Sequence, residues 1–347
     1  MSVTKTLYGK TQNKDVFAFE IINAGGMKAV IFEKGATLDK LFVKDKNGSF
    51  IDVISGFDSL EDHIEFSNNQ GVIAGQFANR IAGGNLTVDG TEYNLFCNEK
   101  GITCLHGGDE YSNALWTGEI TGDKSVTFTY FSKDGTKGFP GNVTAKVTYT
   151  LTEDNELQLD FLAVSDKKTA INLTNHAYFN LNGVGSGTAL NHEIMFNADK
   201  FTPIDDKSIP TGELKDVKGT PFSFSSYKTI GCDIEKDDIQ FKNGTGYDHN
   251  FCITGFDGTL KTAAVVKGDL SGIVMEVKTD LPGIQFYTGN FLDGSVIGKG
   301  GFPLTKRCAF CLETQVFPDC VHHPEWNQKW CFDKDEEYKS TTIFSFS

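Results

Sequence analysis

The run Phe310-Cys311-Leu312-Glu313-Thr314-Gln315-Val316-Phe317 sets one carboxylate into a largely apolar segment. Read as a strand, it places Phe310, Leu312, Thr314 and Val316 on one face and Cys311, Glu313, Gln315 and Phe317 on the other. An ionised Glu among Phe, Leu and Val is costly unless partners solvate it or it carries proton chemistry. Taken alone, such a segment is more often a half-exposed strand with Glu313 on its wet face.

Other stretches also hold polar groups in apolar or glycine-rich surroundings. In Leu173-Thr174-Asn175-His176-Ala177-Tyr178-Phe179-Asn180-Leu181, strand alternation puts His176, Tyr178 and Asn180 on one face. A His there suits general acid or base work at neutral pH. Three polar groups on one face are hard to explain as core, so a functional reading leads here. Gly75-Gln76-Phe77-Ala78-Asn79-Arg80-Ile81-Ala82-Gly83-Gly84 offers a guanidinium beside Asn79, suited to hydroxyl or carboxylate acceptors. A structural pairing of Arg80 with a core acid explains it equally well. Leu105-His106-Gly107-Gly108 gives a His whose ring can be approached closely, although a satisfied turn histidine is the commoner case. Gly246-Tyr247-Asp248-His249-Asn250 pairs an aromatic with an acid, a combination found in sugar sites and in plain turns. Gln285 lies in Leu281-Pro282-Gly283-Ile284-Gln285-Phe286-Tyr287-Thr288-Gly289-Asn290, which leads to the cluster Gly298-Lys299-Gly300-Gly301.

Several chemistries have no motif. The glycine cluster at 298–301 lacks P-loop spacing and a following helix. His322 and His323 would splay apart on a strand, and there is no H-E-x-x-H, so no metal site is expected. Neither G-x-S-x-G nor a strand-linked G-x-G-x-x-G occurs.

The elements that must position these groups are strands. The 347 residues are 39% hydrophobic with 29 Phe, a globular composition with ample core. A net charge of -14 argues against nucleic acid or an anionic membrane as partner. Only Arg80 and Arg307 are arginine; the remaining basic residues are lysine. The first twenty residues alternate without the apolar core of a signal peptide, and no run reaches membrane-span length, so a cytoplasmic protein is expected. Eight cysteines over this length do not make a disulfide framework, and reduced thiols are expected, Cys308 and Cys311 included.

Short β-type runs appear at 17–21, 28–32 and 41–43, with turns at 23–26 and 46–48. Residues 59–66 are the best short helix, with Ser59 as N-cap and Asp62 at N3. From Val126 to Ala163 the period is two: Val143, Ala145, Val147, Tyr149 and Leu151 alternate with polar residues, and after a turn so do Leu157, Leu159, Phe161 and Ala163. Further strands are expected at 263–266, 273–277 and 284–287. No long amphipathic helix, repeat or linker appears. The reading is all-β, a large antiparallel sandwich with few short helices, as one domain over 1–347.

In combination and in order, Ala78-Asn79-Arg80-Ile81-Ala82-Gly83-Gly84, Leu105-His106-Gly107-Gly108, Thr174-Asn175-His176-Ala177-Tyr178-Phe179-Asn180-Leu181, Gly246-Tyr247-Asp248-His249, the 281–290 stretch, Leu312-Glu313-Thr314-Gln315 and Phe317-Pro318-Asp319 resemble one family, the galactose mutarotases or aldose 1-epimerases. The resemblance runs from about residue 10 to the end. It implies a supersandwich with an open groove across one sheet, and interconversion of the α and β anomers of a free aldose, galactose or glucose, without metal, nucleotide or other cofactor. It implies Glu313 as general base at the C1 hydroxyl and His176 as general acid at the ring oxygen. His106 and Arg80 are expected at the ring oxygen and nearby hydroxyls, Asp248 at hydroxyls far from C1, and Asn79 and Gln285 as further binders. Tyr178 is expected to position His176 or the sugar face. The partner is then a small sugar, and the protein a monomer or homodimer. Lys306-Arg307-Cys308-Ala309 departs from the family pattern and is expected to affect the rim of the site or subunit contacts. Two rival readings are a hexose-6-phosphate mutarotase on the same fold, which needs a cationic pocket, and a sugar-binding protein without catalysis.

Overall fold

The computed structural model describes residues 2–66 and 69–347. Strands are its dominant regular structure. A nine-stranded antiparallel sheet contains, in spatial order, Thr117–Gly122, Ser125–Ser132, Val143–Leu151, Glu156–Ser165, Glu337–Phe346, Val274–Thr279, Lys261–Lys267, Glu193–Phe196 and Lys228–Thr229. A six-stranded sheet orders Tyr178–Phe179, Phe310–Gln315, Gly283–Tyr287, Asp248–Ile253, Ala198–Phe201 and Lys215–Asp216. Residues 2–52 contribute a five-stranded meander.

The expected meander forms in register, Ala145 facing Ala163 and Leu151 facing Leu157. Its alternate apolar residues, Val143 through Leu151 and Leu157 through Ala163, all point into the main core. Phe251, Ile284, Phe286, Phe310 and Leu312, from the inner face of the six-stranded sheet, enter the same cluster. Two sheets thus bury one face each against a shared core, the arrangement that satisfies period-two strands. The opposite face of the six-stranded sheet is left to carry polar groups.

The helix expected at 59–66 is present as Leu60–Phe66. Ser59 Oγ accepts the Asp62 amide at 3.1 Å and donates to its carboxylate at 2.6 Å, a reciprocal cap. That helix of seven residues is the longest among the described residues, and none is long and apolar enough to cross a membrane. All eight cysteines are unpaired.

One expected strand is divided. Thr174–Asn175 pairs with Ile73–Ala74, whereas Tyr178–Phe179 pairs with the Phe310–Gln315 strand. His176 still bonds to the 71–72 backbone, and the chain changes partner after it. The face expected for His176, Tyr178 and Asn180 holds for His176 and Tyr178, which stack on one another, but not for Asn180, which lies past the strand end.

Candidate active site

The polar face of the six-stranded sheet is organised in rows by its register. Tyr178, Cys311, Tyr287 and Asp248 are successive cross-strand partners, and Glu313, Gln285 and Asn250 form the next row. Cross-strand neighbours stand about 5 Å apart, so each row is a line of touching side chains. Above them lies a cavity of about 190 Å³ lined by Asn79, Arg80, His106, His176, Tyr178, Asp248 and Glu313. Its walls are completed by Asn69, Leu105, Tyr287, Phe291 and Leu292.

Glu313 is 2% exposed, which rejects the wet-face reading of its strand. Its Oε1 lies 3.6 Å from His176 Nε2, and among the described residues its Oε2 has no hydrogen-bond partner. Burial, reinforced by Asp248 and opposed by Arg80, pushes the Glu313 carboxyl well above its usual range. Burial pushes His176 down to about 4. Both shifts favour the uncharged forms, so the pair is biased toward carrying a single proton between its two members. His176 stacks on Tyr178 with ring centroids 5.1 Å apart, and its backbone is tied on both sides, N–H to Val72 O and C=O from Gly71 N–H, each at 2.9 Å.

His106 is presented by a left-handed turn. Residues His106, Gly107, Gly108 and Asp109 all have positive φ, from 50° to 70°. A Cβ on Gly107 would fall 2.3 Å from the backbone of Gly75 and Gln76, so this position admits only glycine. Asn98 staples the turn, accepting from Leu105 N–H at 2.8 Å and donating to Asp109 at 2.7 Å. His106 and Asn79 bond reciprocally: His106 N–H donates to Asn79 O at 3.0 Å, and Asn79 N–H donates to His106 Nδ1 at 3.2 Å. With Nδ1 accepting, the ring hydrogen must sit on Nε2. Burial, then the neighbouring His176 and Arg80, hold His106 well below its ordinary value, so it is a neutral donor.

Ligand atoms of His106, His176 and Glu313 lie within 4.8 Å of one another, a spacing a divalent ion could bridge. Metal ligation needs an imidazole lone pair. The one His106 lone pair is taken by Asn79 N–H, so the arrangement favours proton transfer and hydrogen bonding over ligation.

Arg80 combines both readings offered by the sequence. Its Nε and Nη2 donate to the two oxygens of Glu99, each at 2.9 Å, and its Nη1 stands 3.6 Å from Asp248 Oδ2. Although burial works against the charge, Asp248 and Glu99 hold the guanidinium cationic. Asp248 is raised by burial, with Arg80 and Gln285 opposing.

Gln285, expected to bind sugar, does not line the cavity; it is spent beneath it. Its Nε2 donates to Asp248 Oδ1 at 2.7 Å, and its Oε1 accepts from Gln315 Nε2 at 3.1 Å. Gln315 Oε1 in turn accepts from Asn79 Nδ2 at 3.3 Å, and Asn79 Oδ1 accepts from Arg80 N–H at 2.9 Å. Every amide orientation in this ladder is determined by its ends, since a backbone N–H only donates and a carboxylate only accepts. Asn180 leaves the site: its amide donates to Gly187 O at 3.2 Å and Cys308 O at 2.8 Å, in a separate pocket. Tyr247 is fully buried against Phe222, Phe241 and Phe286 rather than offered to a ligand. Arg307 is also outside the cavity; it pairs with Glu235, and its amide donates to Gly289 O at 3.1 Å.

Glu99, Gln315, Asn69, Phe291 and Leu292 were not singled out as site residues by the sequence. Gln315 carried a signal, since it shares the Glu313 face. Glu99 lies in a polar turn, and nothing in its surroundings marks it.

The arrangement is an acid–base pair in contact, flanked by a neutral donor, a partly committed cation and a hydrogen-bonded carboxylate. It can move a proton onto and off a neutral polyhydroxylated molecule. The Aldose 1-epimerase family model matches residues 18–345. The chain is 39% identical over 350 residues to the galactose mutarotase of Bos taurus, covering 100% of this chain and 99% of that one. It is 37% identical over 326 residues to the aldose 1-epimerase of Escherichia coli K12, covering 93% of each. Among solved structures, galactose 1-epimerase from Lactobacillus acidophilus superposes with a TM-score of 0.87 at 27% identity, covering 100% and 98% of the two chains. The aldose epimerase homologue from C. elegans gives 0.85 at 30%, covering 94% and 98%.

Proposed function

The chain belongs to the aldose 1-epimerase family and is an isomerase that interconverts the anomers of free hexoses such as galactose and glucose, and from that premise we propose that Glu313 and His176 are its base and acid. The observation that carries the assignment is their contact at 3.6 Å on the floor of the one cavity that also holds Arg80, His106 and Asp248.

A bound sugar brings hydroxyls that solvate the carboxylate, and the shared proton passes to His176. Glu313 then takes the proton from the C1 hydroxyl as His176 Nε2 gives its own to the ring oxygen, and the C1–O5 bond breaks. The open aldehyde turns about C1–C2. On reclosure Glu313 returns its proton to the carbonyl oxygen while His176 takes one from the O5 hydroxyl. Each group contributes about 10²–10⁴-fold in rate. His106, held neutral, donates from Nε2 to the sugar without entering the proton count. Asp248, fixed by Gln285, accepts from hydroxyls remote from C1, and Arg80 and Asn79 bind alongside.

A phosphorylated hexose fits this cavity poorly. Among the described residues no lysine lines it, and the Arg80 charge faces Glu99 and Asp248, so a phosphate dianion would meet carboxylates before a free cation. The test is optical rotation of freshly dissolved α-D-galactose at low buffer concentration. Accelerated relaxation to the same end-point, lost in Glu313→Gln with sugar still bound, is the expected result. Normal turnover by Glu313→Gln overturns the base assignment, and strong competition by inorganic phosphate would favour the phosphorylated substrate.

A further inference from the structure

Cys311 and Glu313 are alternate residues of one strand, so their side chains leave the same face roughly 6–7 Å apart. The His176 imidazole lies along that gap. Its Nε2 is 3.6 Å from Glu313 Oε1, and its Nδ1 is 3.6 Å from Cys311 Sγ. Both ring nitrogens are thus met from a single strand. The ring is held there by its stacking on Tyr178 and by the two backbone bonds at His176.

Cys311 has no part in the reaction just described. It is fully enclosed, and burial, followed by the charges of Glu313 and Asp248, pushes its thiol well above the ordinary value. It stays a neutral thiol and is no nucleophile. Among the described residues, the other groups around His176 are its own backbone (a further hydrogen-bond partner of the ring), Tyr178, Tyr287 with ring centroids 6.3 Å away, and His106 at 5.3 Å, with Arg80 and Asp248 also lining the cavity.

We propose that Cys311 is a positioning residue whose sulfur accepts the Nδ1–H of His176, so that Nε2 alone gives and takes the catalytic proton. The reaction requires this division. When the imidazolium protonates the ring oxygen from Nε2, the neutral ring that remains must keep its other hydrogen on Nδ1. Otherwise Nε2 would have no lone pair with which to recover the proton on reclosure. The partner on the far nitrogen commonly sets a histidine's tautomer. Sulfur is a weak acceptor. It holds the hydrogen without stabilising the imidazolium as a carboxylate would, which leaves the proton free to return.

The inference rests on His176 being the acid, and the experiment separates the two. The full-length enzyme, labelled with ¹⁵N-histidine and assigned with His176→Gln, is observed by ¹⁵N NMR at neutral pH without sugar. A neutral His176 carrying its hydrogen on Nδ1 is expected; a wild-type ring protonated at Nε2 overturns the proposal whatever any variant does. In Cys311→Ala the tautomer should move toward Nε2–H and kcat should fall about 10-fold or more with KM unchanged. Cys311→Ser, which restores an acceptor, should recover most of that loss. Wild-type tautomer, kcat and pH profile in Cys311→Ala would reduce Cys311 to packing. Full turnover by His176→Gln would instead overturn the acid assignment beneath it.

Discussion

The rings of His106 and His176 meet edge to face with centroids 5.3 Å apart, yet the two imidazoles are committed at opposite nitrogens. His106 has its Nδ1 lone pair closed by Asn79 N–H, while His176 has Nε2 against Glu313. One is a fixed neutral donor and the other is a member of a proton-sharing pair. Replacement should therefore separate them. His106→Gln keeps a donor and is expected to retain turnover within about 10-fold, whereas His176→Gln should lose about 10²–10⁴-fold. Initial rates of rotation change on the two purified variants check this, and equal losses would contradict it.

The pH profile should have its limbs in reversed order. His176 is low, at about 4, and the Glu313 carboxyl is raised. As pH falls toward 4 the pair gains a second proton and kcat/KM drops. As pH rises through the elevated carboxyl value the shared proton leaves and kcat/KM drops again. Between the limbs the free enzyme is expected to hold a protonated carboxyl, which an infrared difference spectrum of wild type against Glu313→Gln, taken at a pH between the two observed limbs, would display. A carboxylate band in its place would refute the assignment.

Glu313→Gln should cost activity and add stability. The folded-state value of Glu313 lies above its unfolded one, so its stability contribution is fully present below the unfolded value and is lost as pH rises toward the folded one. Glutamine has no such dependence. The variant is expected to gain about 0.5–2 kcal/mol, more at pH 8 than at pH 4. Thermal melts at the two pH values measure the difference, and a gain confined to acid pH would contradict the sign.

Gln315 should act on binding without touching the sugar. Gln315→Met strips partners from Asn79 Nδ2, Gln285 Oε1 and Asn250 Oδ1 at once. Loss of about 1–3 kcal/mol in stability is expected from the buried groups left unpaired. KM for galactose should rise as Asp248 loosens, with kcat largely kept. Progress curves on the folded variant at 15 °C decide between this and simple destabilisation, which would lower active concentration and leave KM alone.

The all-β reading followed from local pattern alone. The period-two runs from Val126 to Ala163 fall on the core as their alternation requires, and Phe310 and Leu312 turn into it while Glu313 turns to the cavity. The order of the motifs was enough to name the family. What a linear pattern does not contain is register between distant strands. That Gln285 lies beside Glu313, and Asp248 beside Tyr287, is set by hydrogen-bonded pairing across gaps of tens of residues. Register places Gln285 under Asp248 rather than in the cavity, and Asn180, past the end of the Tyr178–Phe179 strand, is held elsewhere. It also brings Glu99 onto Arg80 from a turn with no pattern of its own. The residue types were written in the chain; which of them share a proton, and which only hold the others still, depends on distances of a few ångströms that only the packed sheets decide.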